Sequence, residues 1–179
     1  MKIDFWTTLW KRYQDTSRIL QQKRNINDHI IIQDFHYKNK KITILLNKNK
    51  NINLYALEQL CDTVGWVRRP LKKVKLAIEN SLLIFSLFYR ENKEKKLIAF
   101  ARATSDQTFN ATIWDVVVHP QFQRQGLGKI LINEIINHLR CSDINTITLF
   151  ADPHVVKFYK DLGFVSDPDN VKGMFWYPN

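Results

Sequence analysis

The stretch that most constrains the fold is Asp115-Val-Val-Val-His-Pro-Gln-Phe-Gln-Arg-Gln-Gly-Leu-Gly-Lys129, with the apolar-periodic segment behind it. Val116, Val117 and Val118 form a run without polar alternation, the pattern of a strand covered on both faces. Leu127, Leu131 and Ile135 then recur at helical spacing, with Ile132, Ile136 and Leu139 on a neighbouring stripe. Between the two lies a loop closed by Gly126 and Gly128. A strand that hands over to a helix in this way turns backbone N–H groups and the positive helix end toward an anion.

The flanking sequence supplies more strands and helices. Ile30-Ile-Ile32 and Ile42-Thr-Ile-Leu-Leu46, on either side of the basic Lys38-Asn-Lys-Lys41, predict a strand pair. Asn53 is an N-cap for a helix carrying Leu54, Leu57, Leu60 and Cys61 that stops near Gly65. Pro70 opens the next helix, with Leu71, Val74 and Ile78 on its inner face. Residues 82–89 and 97–104 form a hairpin around the charged turn 90–96, and residues 111–118 add a third strand. A strand over 145–150 precedes a helix from Asp152-Pro153 to Leu162, ended by Gly163, and residues 173–177 form a last aromatic strand. The order β–α–α–β–β–β–α–β–α–β is that of an α/β domain with a mixed sheet.

Upstream, Phe5, Trp6, Leu9, Trp10 and Tyr13 recur at helical spacing beside Lys11, Arg12 and Arg18. This fits a docked terminal helix or a basic amphipathic anchor. At 179 residues the chain reads as one domain over 54–179, with residues 1–53 an extension whose strands pack on it. A net charge of +10 favours an anionic partner, but a Lys-rich solvated surface gives the same value. Cys61 and Cys141 form no C-x-x-C and no zinc-like spacing with His, so a reducing compartment and no metal are expected. The apolar run 82–89 is interrupted by Ser86 and falls far short of the ~20 residues a membrane span requires. The N-terminus, with Asp4 and Asp15, lacks the apolar core of a signal peptide and makes a poor transit peptide.

Three constellations carry candidate chemistry. Gln123-Arg124-Gln125-Gly126-Leu127-Gly128, followed by Lys129, can converge N–H groups and cations on a diphosphate. It is neither a Walker loop nor a dinucleotide fingerprint, and two glycines needed only for chain geometry would look the same. Asp152 and Tyr159, seven residues apart, share one side of a helix and can act as proton acceptor and donor. A plain N-cap explains Asp152 equally well, and a packed aromatic explains Tyr159. In the Trp114-Asp115 pair, strand alternation points Trp114 with Val116 and Val118, and Asp115 with Val117. A carboxylate in so apolar a strand is costly unless paired or functional. His119 and His154 flank the junctions as capping or surface residues.

These residues resemble the GNAT N-acetyltransferase superfamily: a strand ending before His119-Pro120, then Gln-x-x-Gly-x-Gly, then Tyr159-Lys-Asp-Leu-Gly-Phe164. Arg102-Ala-Thr-Ser-Asp106, Phe109-Asn-Ala-Thr-Ile-Trp-Asp115 and Gly173-Met-Phe-Trp-Tyr-Pro178 narrow the resemblance to the plant, cyanobacterial and plastid-encoded group that includes plastid serotonin N-acetyltransferases. The resemblance implies the GNAT fold, a mixed sheet flanked by helices, from about residue 54 to 178. It implies acetyl-CoA as co-substrate, with Gln123, Arg124, Gln125, Gly126, Leu127, Gly128 and Lys129 cradling the pyrophosphate. Val116, Val117 and Val118 would then pair with the pantetheine arm, and Tyr159 would protonate the departing thiolate.

Many family members have Asn where this chain has Asp152. A carboxylate accepts a proton where an amide does not. The expected roles are therefore Asp152 in deprotonating the amine, Asp115 in orienting or attracting it, and Trp114 in stacking on an aromatic acceptor. The acceptor is expected to be an arylalkylamine such as serotonin, with protein lysines or N-termini as the alternative. Two further readings are a basic RNA- or ribosome-associated module, which lacks RNP-like and GXXG patterns, and a CoA-binding regulator without catalysis. The resemblance and the AT-biased composition imply a plastid-encoded stromal protein, or a cyanobacterial cytoplasmic one, with a homodimer through the last strand conceivable.

Overall fold

The strands among the described residues lie side by side in sequence order, β1-β2-β3-β4-β5-β6, in one six-stranded sheet. The structure, a computed structural model, describes residues 28–91 and 94–178; the helix expected over residues 5–13 lies outside them. Strands β1 (His29–Tyr37), β2 (Lys40–Asn47), β3 (Leu83–Glu91), β4 (Glu94–Ser105) and β5 (Asn110–Val118) pair antiparallel in turn. Strand β6 (Thr146–Leu149) pairs parallel with β5, so the sheet is mixed as expected. Between β2 and β3 run α1 (Leu54–Asp62) and α2 (Leu71–Glu79); α3 (Leu127–Arg140) joins β5 to β6, and α4 (Val156–Lys160) follows. Asn53 caps α1 by accepting from the Tyr55 and Ala56 N–H groups at 3.0 and 3.1 Å.

Period-two alternation sorts the strands onto two cores. Phe85, Leu87, Ala99 and Ala101 point toward α3, whose Leu127, Leu131, Ile132, Ile135 and Leu139 are fully buried there. Their neighbours Ile84 and Phe100 point the other way, onto Leu57 and Leu60 of α1 and Ile78 of α2. The sheet is therefore covered on both faces. Strand β2 belongs to it fully, with Ile44, Leu45 and Leu46 buried against β3.

Two elements depart from expectation. Residues 173–177 form no strand, and the sheet ends at β6. Asp167 and Asp169, both at positive φ around Pro168, redirect the chain before it can run along β6. Phe175 instead packs edge-on against Phe150 at 5.0 Å between ring centroids, and Tyr177 stacks on Phe175 at 6.5 Å. The helix expected from Asp152 begins as a 3-10 turn, Pro153–Val155, because Val155 at φ −111° and ψ 1° is not helical.

Candidate active site

Strand β5 outruns its parallel neighbour. The β5–β6 ladder ends at the Ile113–Leu149 pair, so β5 continues from Trp114 to Val118 beyond it. The two chains separate there, and a cleft of about 1180 Å³ opens between β5, the 123–129 loop, the chain after β6 and the α1–α2 loop. Trp114, Asp115, Val116, Val117, Val118, Gln123, Arg124, Gly126, Gly128, Lys129, Asp152 and Tyr159 all line it. Gln125 and Leu127, expected beside them, do not.

At one end the cleft is made of backbone and small residues. Gly126, at φ +86° and ψ −10°, caps α3 in a left-handed conformation, and Arg124 before it also has positive φ, 57°. These turns aim the first N–H groups of α3 at the cleft, with no acidic side chain in the first helical turn to oppose an anion. A Cβ on Gly128 would stand 3.4 Å from the Phe158 ring and 3.7 Å from Val118, so a larger residue would intrude where helix and strand converge. Arg124 and Lys129 are exposed at the rim. The glutamines brace this loop through their side chains: Gln123 Nε2 donates to the Val118 carbonyl at 2.9 Å and Gln125 Nε2 to the Gln121 carbonyl at 2.9 Å. Leu127 is wholly buried in the core. An open strand edge followed by converging N–H groups and two cations fits an elongated, diphosphate-bearing ligand.

His119 accepts the Gln121 N–H on Nδ1 at 3.2 Å, a capping role. Burial, and secondarily Lys38, pushes its pKa down and keeps the ring neutral.

The other end is built from side chains brought together across the sequence. Between the Trp114–Arg102 and Val117–Phe100 pairs, β5 has two residues where β4 has one, which makes a β-bulge at Asp115 and Val116. Asp115 takes φ +53°, a left-handed conformation that costs a non-glycine residue roughly 1 kcal/mol. The bulge corrects the expected alternation. Trp114 stands with Thr104 and Arg102, donating its Nε1–H to Thr104 Oγ1 at 2.9 Å, while Val116 and Val118 pack on the α3 side.

The Asp115 carboxylate lies between two guanidiniums. Arg102 Nε on β4 donates to Oδ2 at 2.6 Å, and Arg69 Nη1 in the α1–α2 loop donates to Oδ1 at 3.0 Å. Trp114 also meets Phe150 at 5.4 Å, and Trp66 and Val67 complete this wall. Sequence reading missed Arg69, Phe150 and Phe158 as parts of the site. Arg102, a charged residue inside the apolar run 97–103 of β4, was the available signal for the ion pair.

Asp152 and Tyr159 both line the cleft, close enough for the Asp152 charge to act on the phenol. Asp152 is exposed and its side chain does not cap the 3-10 turn it precedes. Tyr159 is 8% exposed, between Phe158 and Phe164. Burial, reinforced by the Asp152 charge, pushes its pKa up, so the phenol stays protonated through the neutral range. Cys61 lies outside the cleft lining, and burial pushes its thiol up as well. Among the described residues no cluster of His, Cys, Asp and Glu is placed to hold a metal ion, and no helix is long and apolar enough to cross a membrane.

An open strand edge, an N–H-rich helix start and a buried phenol beside a carboxylate are the parts of an acyl-CoA-dependent transferase. The chain belongs to the acetyltransferase (GNAT) family, whose model matches residues 51–164. It is an N-acetyltransferase of the plastid and cyanobacterial group, from a family that uses acetyl-CoA.

It is 55% identical over 184 residues to an uncharacterized N-acetyltransferase ycf52 of Gracilaria tenuistipitata var. liui, covering 97% of this chain and 98% of that protein. A histone acetyltransferase TAP1 of Glycine max is 52% identical over 143 residues, 76% of this chain and 62% of that one. The chloroplastic GCN5-related N-acetyltransferase 2 of Arabidopsis thaliana is 43% identical over 172 residues, 87% of this chain and 63% of its own length. Among solved structures, the GNAT family protein SP0256 of Streptococcus pneumoniae superposes with a TM-score of 0.63 at 23% identity, over 75% of this chain and 98% of that one. That likeness is one of fold.

Proposed function

We propose that this acetyltransferase moves the acetyl group of acetyl-CoA directly onto the primary amine of an arylalkylamine. The observation that carries this reading is the Trp114–Phe150 aromatic pair, exposed in the same cleft as Asp152. An aromatic acceptor stacks on the pair while its amine faces the carboxylate. In this scheme the N–H groups of residues 124–129 hold the pyrophosphate, helped by Arg124 and Lys129, and the free edge of Val116, Val117 and Val118 pairs with the pantetheine arm. Asp152 takes one proton from the ammonium form of the amine, directly or through water. The neutral nitrogen attacks the thioester carbon, the C–S bond breaks as Tyr159 gives its proton to the leaving sulfur, and the second proton on nitrogen returns to the tyrosinate. The products are an amide and the free thiol. A cysteine relay is not invoked, since Cys61 has a raised pKa outside the cleft lining and Cys141 is exposed at the far end of α3.

We take residues 54–179 as the catalytic domain and 1–53 as an extension that contributes β1 and β2 to its sheet. The chloroplastic and ycf52 relatives support a plastid location, with a cyanobacterial cytoplasm as the alternative. Pairing of the exposed 173–177 segment between two copies is the route we propose to a homodimer. A protein amine is the second acceptor reading, favoured by the identity to TAP1. The net charge of +10 works against a basic protein tail at low ionic strength.

Thiol release from acetyl-CoA, followed with tryptamine, serotonin, hexylamine and a lysine-containing peptide in parallel, tests the proposal. The arylalkylamines are expected to have the highest kcat/KM. A peptide that outruns them would transfer the assignment to protein acceptors, and no release with any amine would end the enzyme reading of this site.

A further inference from the structure

The α1–α2 loop forms an exposed wall of the cleft. Residues 66–70 are exposed, and Val67 is 88% accessible. Arg68 ties the loop back to the end of α1, donating from Nη2 and Nε to the Asp62 carboxylate at 2.7 and 3.2 Å. Arg69 carries it across to the sheet, reaching Asp115 forty-six residues away.

Asp115 is well suited to receive it. Its carboxylate is mostly buried, at 18% exposure, and its other oxygen is fixed by Arg102, itself 13% exposed and within 3.4 Å of Ser81 Oγ. The residue sits at the bulge, where the left-handed backbone turns its side chain toward the loop rather than along the strand. A charge-assisted bond to an anchored carboxylate holds far better than a free surface ion pair.

We infer that Arg69 is a positioning residue that sets acceptor specificity. By latching the α1–α2 loop to Asp115, it holds Trp66 and Val67 over the acceptor end of the cleft and limits it to flat, slender amines. With the latch open, the loop moves off β5 and bulkier amines reach Asp152. The acceptor readout rests on the acetyltransferase reading above; the loop readout below does not.

The test combines kinetics with hydrogen exchange. Arg69→Ala is made on an exposed loop, and Asp115→Asn and the double variant complete a cycle, with thermal denaturation of each reporting that it is folded. Arg69→Ala is expected to raise KM for tryptamine about tenfold, the effect of one charge-assisted hydrogen bond, while the affinity for CoA stays within twofold. Its preference for tryptamine over a lysine peptide should fall by a similar factor. In the Asp115→Asn background the same substitution should add almost nothing, and Arg69→Lys should restore part of the loss.

Amides of residues 63–69 should exchange faster in both single variants, whether or not any amine is turned over. Unchanged exchange together with additive kinetic effects would overturn the latch. Faster exchange in an enzyme with no acceptor preference would keep the latch and remove its role in specificity.

Discussion

The two ends of the cleft are built by different means. The end assigned to the coenzyme uses main chain: the free edge of β5, the left-handed turns at Arg124 and Gly126, and the first N–H groups of α3. The end assigned to the acceptor uses side chains from four separate segments: Trp66 and Arg69 from the α1–α2 loop, Arg102 from β4, Trp114 and Asp115 from β5, and Phe150 after β6. A main-chain site tolerates change in every side chain except those that would fill it. A side-chain site changes its ligand with a single substitution. Under these assignments the acceptor can change without disturbing the coenzyme, because the two demands fall on different atoms.

The largest effect should come where the ends meet. Tyr159→Phe removes the proton donor and should lower kcat by about 10²–10⁴-fold with the CoA dissociation constant nearly unchanged, as read by thiol release and calorimetry. Asp152→Asn should lower kcat less and also move the alkaline limb of the pH–rate profile. The Tyr159 pKa is raised by burial first and by the Asp152 charge second. An acid with a raised pKa stays active up to that pKa and is lost above it, so removing the charge should bring the limb to lower pH. A limb that stays in place would separate Tyr159 from the observed titration.

Two substitutions sharpen the contrast between the ends. Gly128→Val places methyls where a Cβ already meets Phe158 at 3.4 Å, and should weaken CoA binding by roughly 10-fold while leaving relative acceptor preference intact. Trp114→Ala should do the reverse, lowering kcat/KM for tryptamine by about 3- to 10-fold relative to hexylamine, the worth of one aromatic pair. CoA binding weakened by Trp114→Ala would break the division. The smallest effect is a control: Asn53→Ala removes the α1 cap and should cost about 1 kcal/mol of stability in thermal denaturation, with neither substrate's KM altered.

The same division explains how much could be read without coordinates. Gly126 ending a loop and opening α3, the buried stripe Leu127, Leu131 and Ile135, and the cap at Asn53 are local patterns with periods of a few residues, and each is found as expected. The bulge at Asp115 is not local. It follows from β4 and β5 pairing two residues against one, and it reverses the face assigned to Trp114. The Asp115 partners, thirteen and forty-six residues away, carry no periodic signal; the cost of burying a lone carboxylate left both a partner and a function open, and the sequence reading favoured a function. The aromatic segment 173–177 has strand composition, but a strand exists through its neighbour, and the Pro168 turn takes this one elsewhere.

The most direct test of a cleft with a coenzyme end and an aromatic-amine end is the affinity of a conjugate that spans both. A tryptamine–CoA bisubstrate analogue and a lysine-peptide–CoA analogue, titrated calorimetrically beside CoA, isolate what the acceptor end adds. The account predicts that the tryptamine conjugate binds at least about tenfold tighter than CoA and tighter than the peptide conjugate, with the gain lost in Trp114→Ala. A tryptamine conjugate that binds no better than CoA would contradict it.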